Sequence, residues 1–135
     1  MAVPYQTKQF KDISLSFKKH PVTKDILVLK DNDAIKKSVI NIIRTSIGDR
    51  FYQSALGTRV GDLLFSLNTD DYNQSLLKRE MSTALQNWEP RVKVERIDTS
   101  FADDFNSVGS VEVIVNYEII GQPNIPQEIQ FVLEN

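Results

Sequence analysis

The chain has 135 residues, enough for one domain that buries its own core. Hydrophobic residues make up 41% and charged residues 25%, the balance of a globular domain, and no stretch approaches the ~20 apolar residues of a membrane span. The absence of Cys removes disulfides and thiolate metal sites, and the single His20 removes His-pair metal motifs. The net charge of −2 is unevenly spread: residues 1–67 carry 11 Lys/Arg against 6 Asp/Glu, and residues 68–135 carry 5 against 12. Such polarity suits head-to-tail contact with copies or partners, in contacts that respond to salt. The lysines of the basic half are scattered and lack an Arg/aromatic platform, which argues against nucleic acid as a partner. Met1-Ala2-Val3-Pro4-Tyr5 lacks the basic and apolar blocks of a signal peptide, so the chain is expected to stay in the cytoplasm or travel inside an assembly.

Residues 1–11 read as a polar, basic arm that orders on binding. In Asp12-Ile13-Ser14-Leu15-Ser16-Phe17, alternation places Ile13, Leu15 and Phe17 on one strand face. Ile26-Leu27-Val28-Leu29 is a short apolar run, and Lys18 to Asp25 between the two reads as a turn, so a hairpin is expected. Asp31-Asn32-Asp33 offers side-chain acceptors for a helix start. Ala34, Ile35, Ser38, Val39, Ile42 and Ile43 then recur at helical spacing, with Gly48 as the stop. Residues 49–58 are irregular, and Gly57 and Gly61 predict tight backbone around a short helix, Arg59 to Ser66, that presents Val60, Leu63, Leu64 and Phe65.

Thr69-Asp70-Asp71 opens the longest helix, where the dipole favours acids. Its apolar stripe is Tyr72, Leu76, Leu77, Met81, Ala84, Leu85 and Trp88, and Pro90 ends it. Strands follow at Val92–Ile97, Val111–Ile120 and 128–133. Val111, Val113, Val115, Tyr117 and Ile119 face the helices in the second, and Ile129, Phe131 and Leu133 point inward in the third. The predicted fold is α+β: two main helices and a short one layered on a small antiparallel meander, with an N-terminal strand or hairpin arm. A single domain spans 1–135, with arm and strands over 1–30, helices over 31–90 and meander over 91–135.

Little in the chain points to catalysis, and no catalytic, metal or cofactor site is expected. His20 sits in a polar loop beside Pro21. Glu80, Glu89, Asp98, Asp103 and Asp104 lack the apolar surroundings that would hold one carboxyl protonated and leave a neighbour charged, as glycoside cleavage requires. Gly48, Gly57 and Gly61 have the wrong spacing for a phosphate loop. One tripeptide stands apart, Glu89-Pro90-Arg91, at the junction of the long helix and the sheet. Pro90 fixes the exit direction, and Glu89 and Arg91 reach either back to the helix layer or out to a partner. A structural corner and an interaction site fit it equally.

Asp12-Ile13-Ser14-Leu15-Ser16-Phe17, His20-Pro21-Val22-Thr23, Asp25-Ile26, Ala34-Ile35-Lys36-Lys37-Ser38-Val39, Gly48-Asp49-Arg50, Gly57, Leu63-Leu64-Phe65 and Trp88-Glu89-Pro90-Arg91-Val92 together resemble the baseplate wedge family of contractile-tailed phages. That family includes sheath-initiating subunits and the type VI secretion counterpart, and its members are often labelled lysozyme-like. The chain departs from the family pattern at Lys24, where Gly is common, and at Phe51 and Ser54, where prolines are common. The resemblance implies a structural subunit of the virion's tail baseplate, assembled in the host cytoplasm, with other wedge subunits and the tail sheath protein as partners and six copies in a ring. It implies docking on the wedge core through Glu89, Pro90 and Arg91, and a template for the first sheath ring. An open sheet edge gives a physical route to templating, because a neighbour's extended segment can add to it. The candidate edge is the last strand: Glu128, Ile129, Gln130, Phe131, Val132 and Leu133. The family label leaves a peptidoglycan hydrolase as the alternative.

Overall fold

A computed structural model describes residues 11–14, 16–65, 71–101, 110–121 and 126–134. The expectations for arm residues 1–10, Leu15, Thr69-Asp70 and the link at 102–107 lie outside these residues.

The N-terminal hairpin forms. Strand β1 (Lys11–Ile13) pairs antiparallel with β2 (Val28–Lys30), Asp12 opposite Leu29, and a bridge between Lys19 and Ile26 continues the pairing. The connecting turn closes on itself: Nδ1 of His20 accepts the amides of Val22 and Thr23 at 3.2 and 3.1 Å. His20 is therefore a turn residue. Lys24 adopts φ 56°, a left-handed geometry that glycine takes without steric cost. The strand expected to run to Phe17 stops at Ile13. Phe17 itself has φ 49° in a turn and is 69% exposed, so alternation overstated this strand.

Helix α1 (Asn32–Arg44) buries Ala34, Ile35, Val39, Ile42 and Ile43 along one stripe. Asp31 precedes it at φ 49° and makes no side-chain cap; its backbone carbonyl takes the Ile35 amide at 3.1 Å. The helix ends before Gly48. Thr45 turns to extended geometry and caps with both its backbone N–H and its hydroxyl on the Asn41 carbonyl, at 3.0 and 2.6 Å. Gly48, at φ 97°, belongs to the next turn.

Residues 45–58 form a loop closed at its base by a parallel bridge between Ser46 and Thr58, with the Thr58 hydroxyl donated to the Ile43 carbonyl at 2.8 Å. Gly57 sits at φ 129° with the Thr45 carbonyl oxygen 2.4 Å from where a Cβ would stand, so this crossing needs glycine. Helix α2 (Val60–Phe65) follows and buries Val60 and Leu64.

Helix α3 (Asp71–Trp88) buries Leu77, Met81, Ala84 and Leu85. Tyr72, assigned to the same stripe from its spacing, is 75% exposed.

The three-stranded sheet has the order β3 (Val92–Phe101), β4 (Val111–Ile119), β5 (Gln127–Leu133), antiparallel throughout. Strand β4 alternates buried and half-buried without a break, and β5 buries Ile129, Phe131 and Leu133. Strand β3 runs longer than the alternation predicts, and its register slips between Val94 and Arg96. The extra residue, Glu95, is a bulge that reverses the side-chain parity. Val92 and Ile97, at even and odd positions, can then both reach the core. The result is the expected α+β layering, with α1 and α3 over one face of the sheet and a single cluster from Ile35 to Leu133 between them.

Candidate functional site

The corner at 89–91 is built by the end of α3. The Glu89 amide makes the last helical bond, to the Leu85 carbonyl at 2.9 Å, and Pro90 then turns the chain. The Val92 amide returns to the Glu89 carbonyl at 3.2 Å, and the Arg91 carbonyl accepts the Ile120 amide at 2.8 Å, which ties the corner to the end of β4. Backbone bonds thus hold the bend from three sides.

The side chains close on each other. Glu89 is 2% exposed. Its Oε1 accepts Nε of Arg91 at 2.5 Å, its Oε2 accepts Nη2 at 2.7 Å, and the Ser38 hydroxyl on α1 donates to Oε2 as well. This is the fork-on-carboxylate geometry for which Arg is suited. Burial pushes the Glu89 carboxyl up, but the hydrogen bonds from Arg91 and Ser38 and the charge of Arg91 together hold it below its ordinary value. The bond to Glu89 pushes Arg91 up against its own desolvation, helped by the charges of Glu89 and of Asp12 from β1. The corner therefore locks α1, α3 and the sheet together and sits beside the hairpin. An ionised, paired Glu89 is the reverse of the protonated carboxyl that a glycosidase acid requires.

Both of the open sequence alternatives for the tripeptide are narrowed here: Glu89 and Arg91 face each other, and Glu89 reaches back to the helix layer. Sequence reading missed Ser38, which it placed in the apolar stripe of α1. The signal was a hydroxyl at an otherwise apolar position, and its partner lies 51 residues away.

The second candidate region is β5. Its inward residues Ile129, Phe131 and Leu133 are core, so a partner could reach only their backbone, while Glu128, Gln130 and Val132 are exposed. One side of β5 pairs with β4 from Val111–Leu133 to Tyr117–Gln127, and the other has no strand partner among the described residues. Arg44, at the end of α1, reaches this outer side: its Nη2 donates to the Val132 carbonyl at 3.2 Å, and its guanidinium stands 5.9 Å from the centre of the Phe131 ring. On the solvent face, Glu112 links the three strands by accepting Ser100 Oγ at 3.2 Å and the Gln130 side-chain amide.

Residues 30–124 match the model of the family described as baseplate wedge protein gp25. The chain belongs to the baseplate wedge protein family. It is accordingly a structural protein of a tail baseplate wedge, and the corner at 89–91 lies inside the matched region while β5 lies beyond it. No curated protein sequence is significantly similar to the chain. Among solved structures, the fold is shared with a candidate tail lysozyme from Geobacter sulfurreducens (TM-score 0.69, 21% identity, 80% of this chain and 95% of that one). It is shared with a chain of the anti-feeding prophage baseplate (TM-score 0.64, 12% identity, 92% and 84%). A chain of the postcontracted pyocin R2 baseplate also has it (TM-score 0.61, 18% identity, 82% and 98%).

Proposed function

We propose that this wedge subunit docks on the wedge core through the corner Glu89-Pro90-Arg91, with Pro90 and Arg91 presented and Glu89 buried behind them, and templates the first ring of tail sheath by accepting an extended strand on the outer edge of β5. The observation that carries the reading is the edge itself: β5 is anchored through Ile129, Phe131 and Leu133 and is unpaired on its outer side among the described residues. Such an edge binds by backbone hydrogen bonds, with alternate side chains setting register. Other wedge subunits and the sheath protein are the partners in this reading, in the virion's tail baseplate, built in the host cytoplasm. Six copies form a ring; the anti-feeding prophage neighbour comes from a 6-fold symmetrised baseplate.

The decisive substitutions are Gln130→Pro and Val132→Pro. The Val132 carbonyl is taken by Arg44 and so faces away from β4, and alternate residues of a strand share that direction. Proline at 130 or 132 then removes an outward donor while sparing the β4 ladder. Tails of either variant should contain the subunit in the baseplate but carry no sheath under electron microscopy. Normal sheath on them would overturn the reading.

The Geobacter neighbour's description raises a peptidoglycan hydrolase as a second reading. Under the structural reading the purified chain leaves cell-wall suspensions turbid. Clearing that is abolished by Glu89→Gln or Asp98→Asn would decide for the hydrolase.

A further inference from the structure

Four of the ten large apolar side chains exposed among the described residues lie in the N-terminal hairpin and its turn. They are Ile13, Phe17, Val22 and Ile26, from 43% exposed at Ile26 to 82% at Val22. Lys11, Lys18, Lys19 and Lys24 are exposed on the same hairpin, and among the described residues no ion pair holds any of the four. The hairpin's own acids are engaged locally. The Asp12 carboxylate accepts the Ile13 amide at 2.8 Å, and the Asp25 carboxylate accepts the Ile26 amide at 2.7 Å.

We infer that the hairpin continues the docking surface of the corner, and that an acidic stretch of the wedge-core partner, with apolar side chains between its carboxylates, lies across it. The inference rests on the corner-docking reading and extends it to residues 11–26, which precede the segment 30–124 that matches the family. The two surfaces adjoin. Strands β1 and β2 pack on α1, whose Ser38 bonds Glu89, and Asp12 of β1 is near enough for its charge to act on Arg91.

Chemistry selects the occupant. Apolar surface gathered in one element and accompanied by polar groups is characteristic of a contact with another protein. Four lysines without partners favour carboxylates opposite them, which speeds encounter and fixes register. Ile13, Val22 and Ile26 are aliphatic and offer bases nothing to stack on, so the lysines here do not make a nucleic-acid surface. The turn is already shaped for contact. Its closure by Nδ1 of His20 on the Val22 and Thr23 amides, and by the His20 amide on the Asp25 carbonyl at 2.8 Å, leaves Val22 presented with little ordering still to lose.

The test adds the purified chain back to baseplate wedges assembled without it, at low and at high salt. Lys18→Glu/Lys24→Glu probes the charge, Phe17→Ser/Val22→Ser probes the apolar contact, and Arg91→Lys probes the corner. The hairpin positions are exposed, so those two variants should melt as wild type does. Each should bind the wedges roughly tenfold or more weakly than wild type, and the lysine variant should also lose most of its salt dependence. Arg91→Lys should be weakened too. Wild-type binding by both hairpin variants beside a weakened Arg91→Lys would overturn the hairpin contact and leave the corner standing. Wild-type binding by all three would remove both, and a defect in the hairpin variants with Arg91→Lys unaffected would break the continuity. Loss in one hairpin variant alone would overturn the occupant: the lysine variant alone would point to a polyanion such as nucleic acid, the apolar variant alone to an uncharged partner. A second measurement does not depend on affinity. The chain has no Cys, so Val22→Cys carries a single thiol. A maleimide should label it in the isolated chain and fail to label it in assembled baseplates; equal labelling would show the hairpin uncovered and sink the inference.

Discussion

Glu89 shows why a charged residue can be both buried and stabilising. A carboxylate out of water costs several kcal/mol unless its oxygens are filled, and here Arg91 and Ser38 fill them. Glu89→Gln keeps the shape but leaves the half-buried Arg91 without its counter-charge. The variant should lose about 2–3 kcal/mol in urea unfolding, somewhat less than a fully buried pair, because Arg91 retains solvent. The pH dependence has a definite sign. The folded carboxyl titrates below its unfolded value, so its contribution is complete above the ordinary carboxylate range and fades as the pH falls from about 4.3 through the folded pKa. Wild type should therefore lose stability on that acid limb faster than Glu89→Gln, and parallel curves would show that Glu89 is not the linked group. The chemistry of the tripeptide is visible in the sequence as two opposite charges around a proline. Its closure is not, since Ser38 is 51 residues distant and only the packing of α1 on α3 brings it near.

At the level of elements, strict periodicity is the reliable guide. In β4 and β5 each second residue is apolar and each is buried, because one face of the sheet is fully covered by helices. Where one face is not covered, the same pattern misleads: Ile13 and Phe17 alternate, but the hairpin they belong to is narrow and both are exposed. Tyr72 has the helical spacing of its stripe and is exposed. The Glu95 bulge explains the break in alternation between Val94 and Ile97, which a residue-by-residue pattern leaves unassigned. Gly57 marks tight backbone already in the sequence, and the crossing of 45–58 is tighter than any other described glycine site, with the Thr45 oxygen 2.4 Å from the place a Cβ would take. Gly57→Ala should cost about 2–4 kcal/mol by thermal or urea unfolding, since both the φ and the contact oppose a side chain. A loss under about 1 kcal/mol would mean that the loop shifts freely.

Across the whole molecule, stability is graded from the sheet outward. Strand β4 lies between β3 and β5 under both long helices, with Val111, Val113, Val115 and Tyr117 fully buried. Among the described residues the hairpin β1–β2 pairs with no further strand, and all three residues of β1 are exposed. Amides of β4 should exchange with solvent only through global unfolding, with a strong denaturant dependence, whereas those of the hairpin should exchange by local opening that denaturant barely changes. Matching denaturant slopes for the two would show that the hairpin and the sheet unfold as one unit.

The outer margin of β5 offers amides and carbonyls, and every amino acid except proline carries both. A lineage can therefore replace most of its residues, so long as the apolar rhythm inside holds, and still present the same row of groups to the outside. Such a margin is set by backbone shape and leaves little trace in the letters of the sequence, which suits a fold shared with solved structures at 12–21% identity.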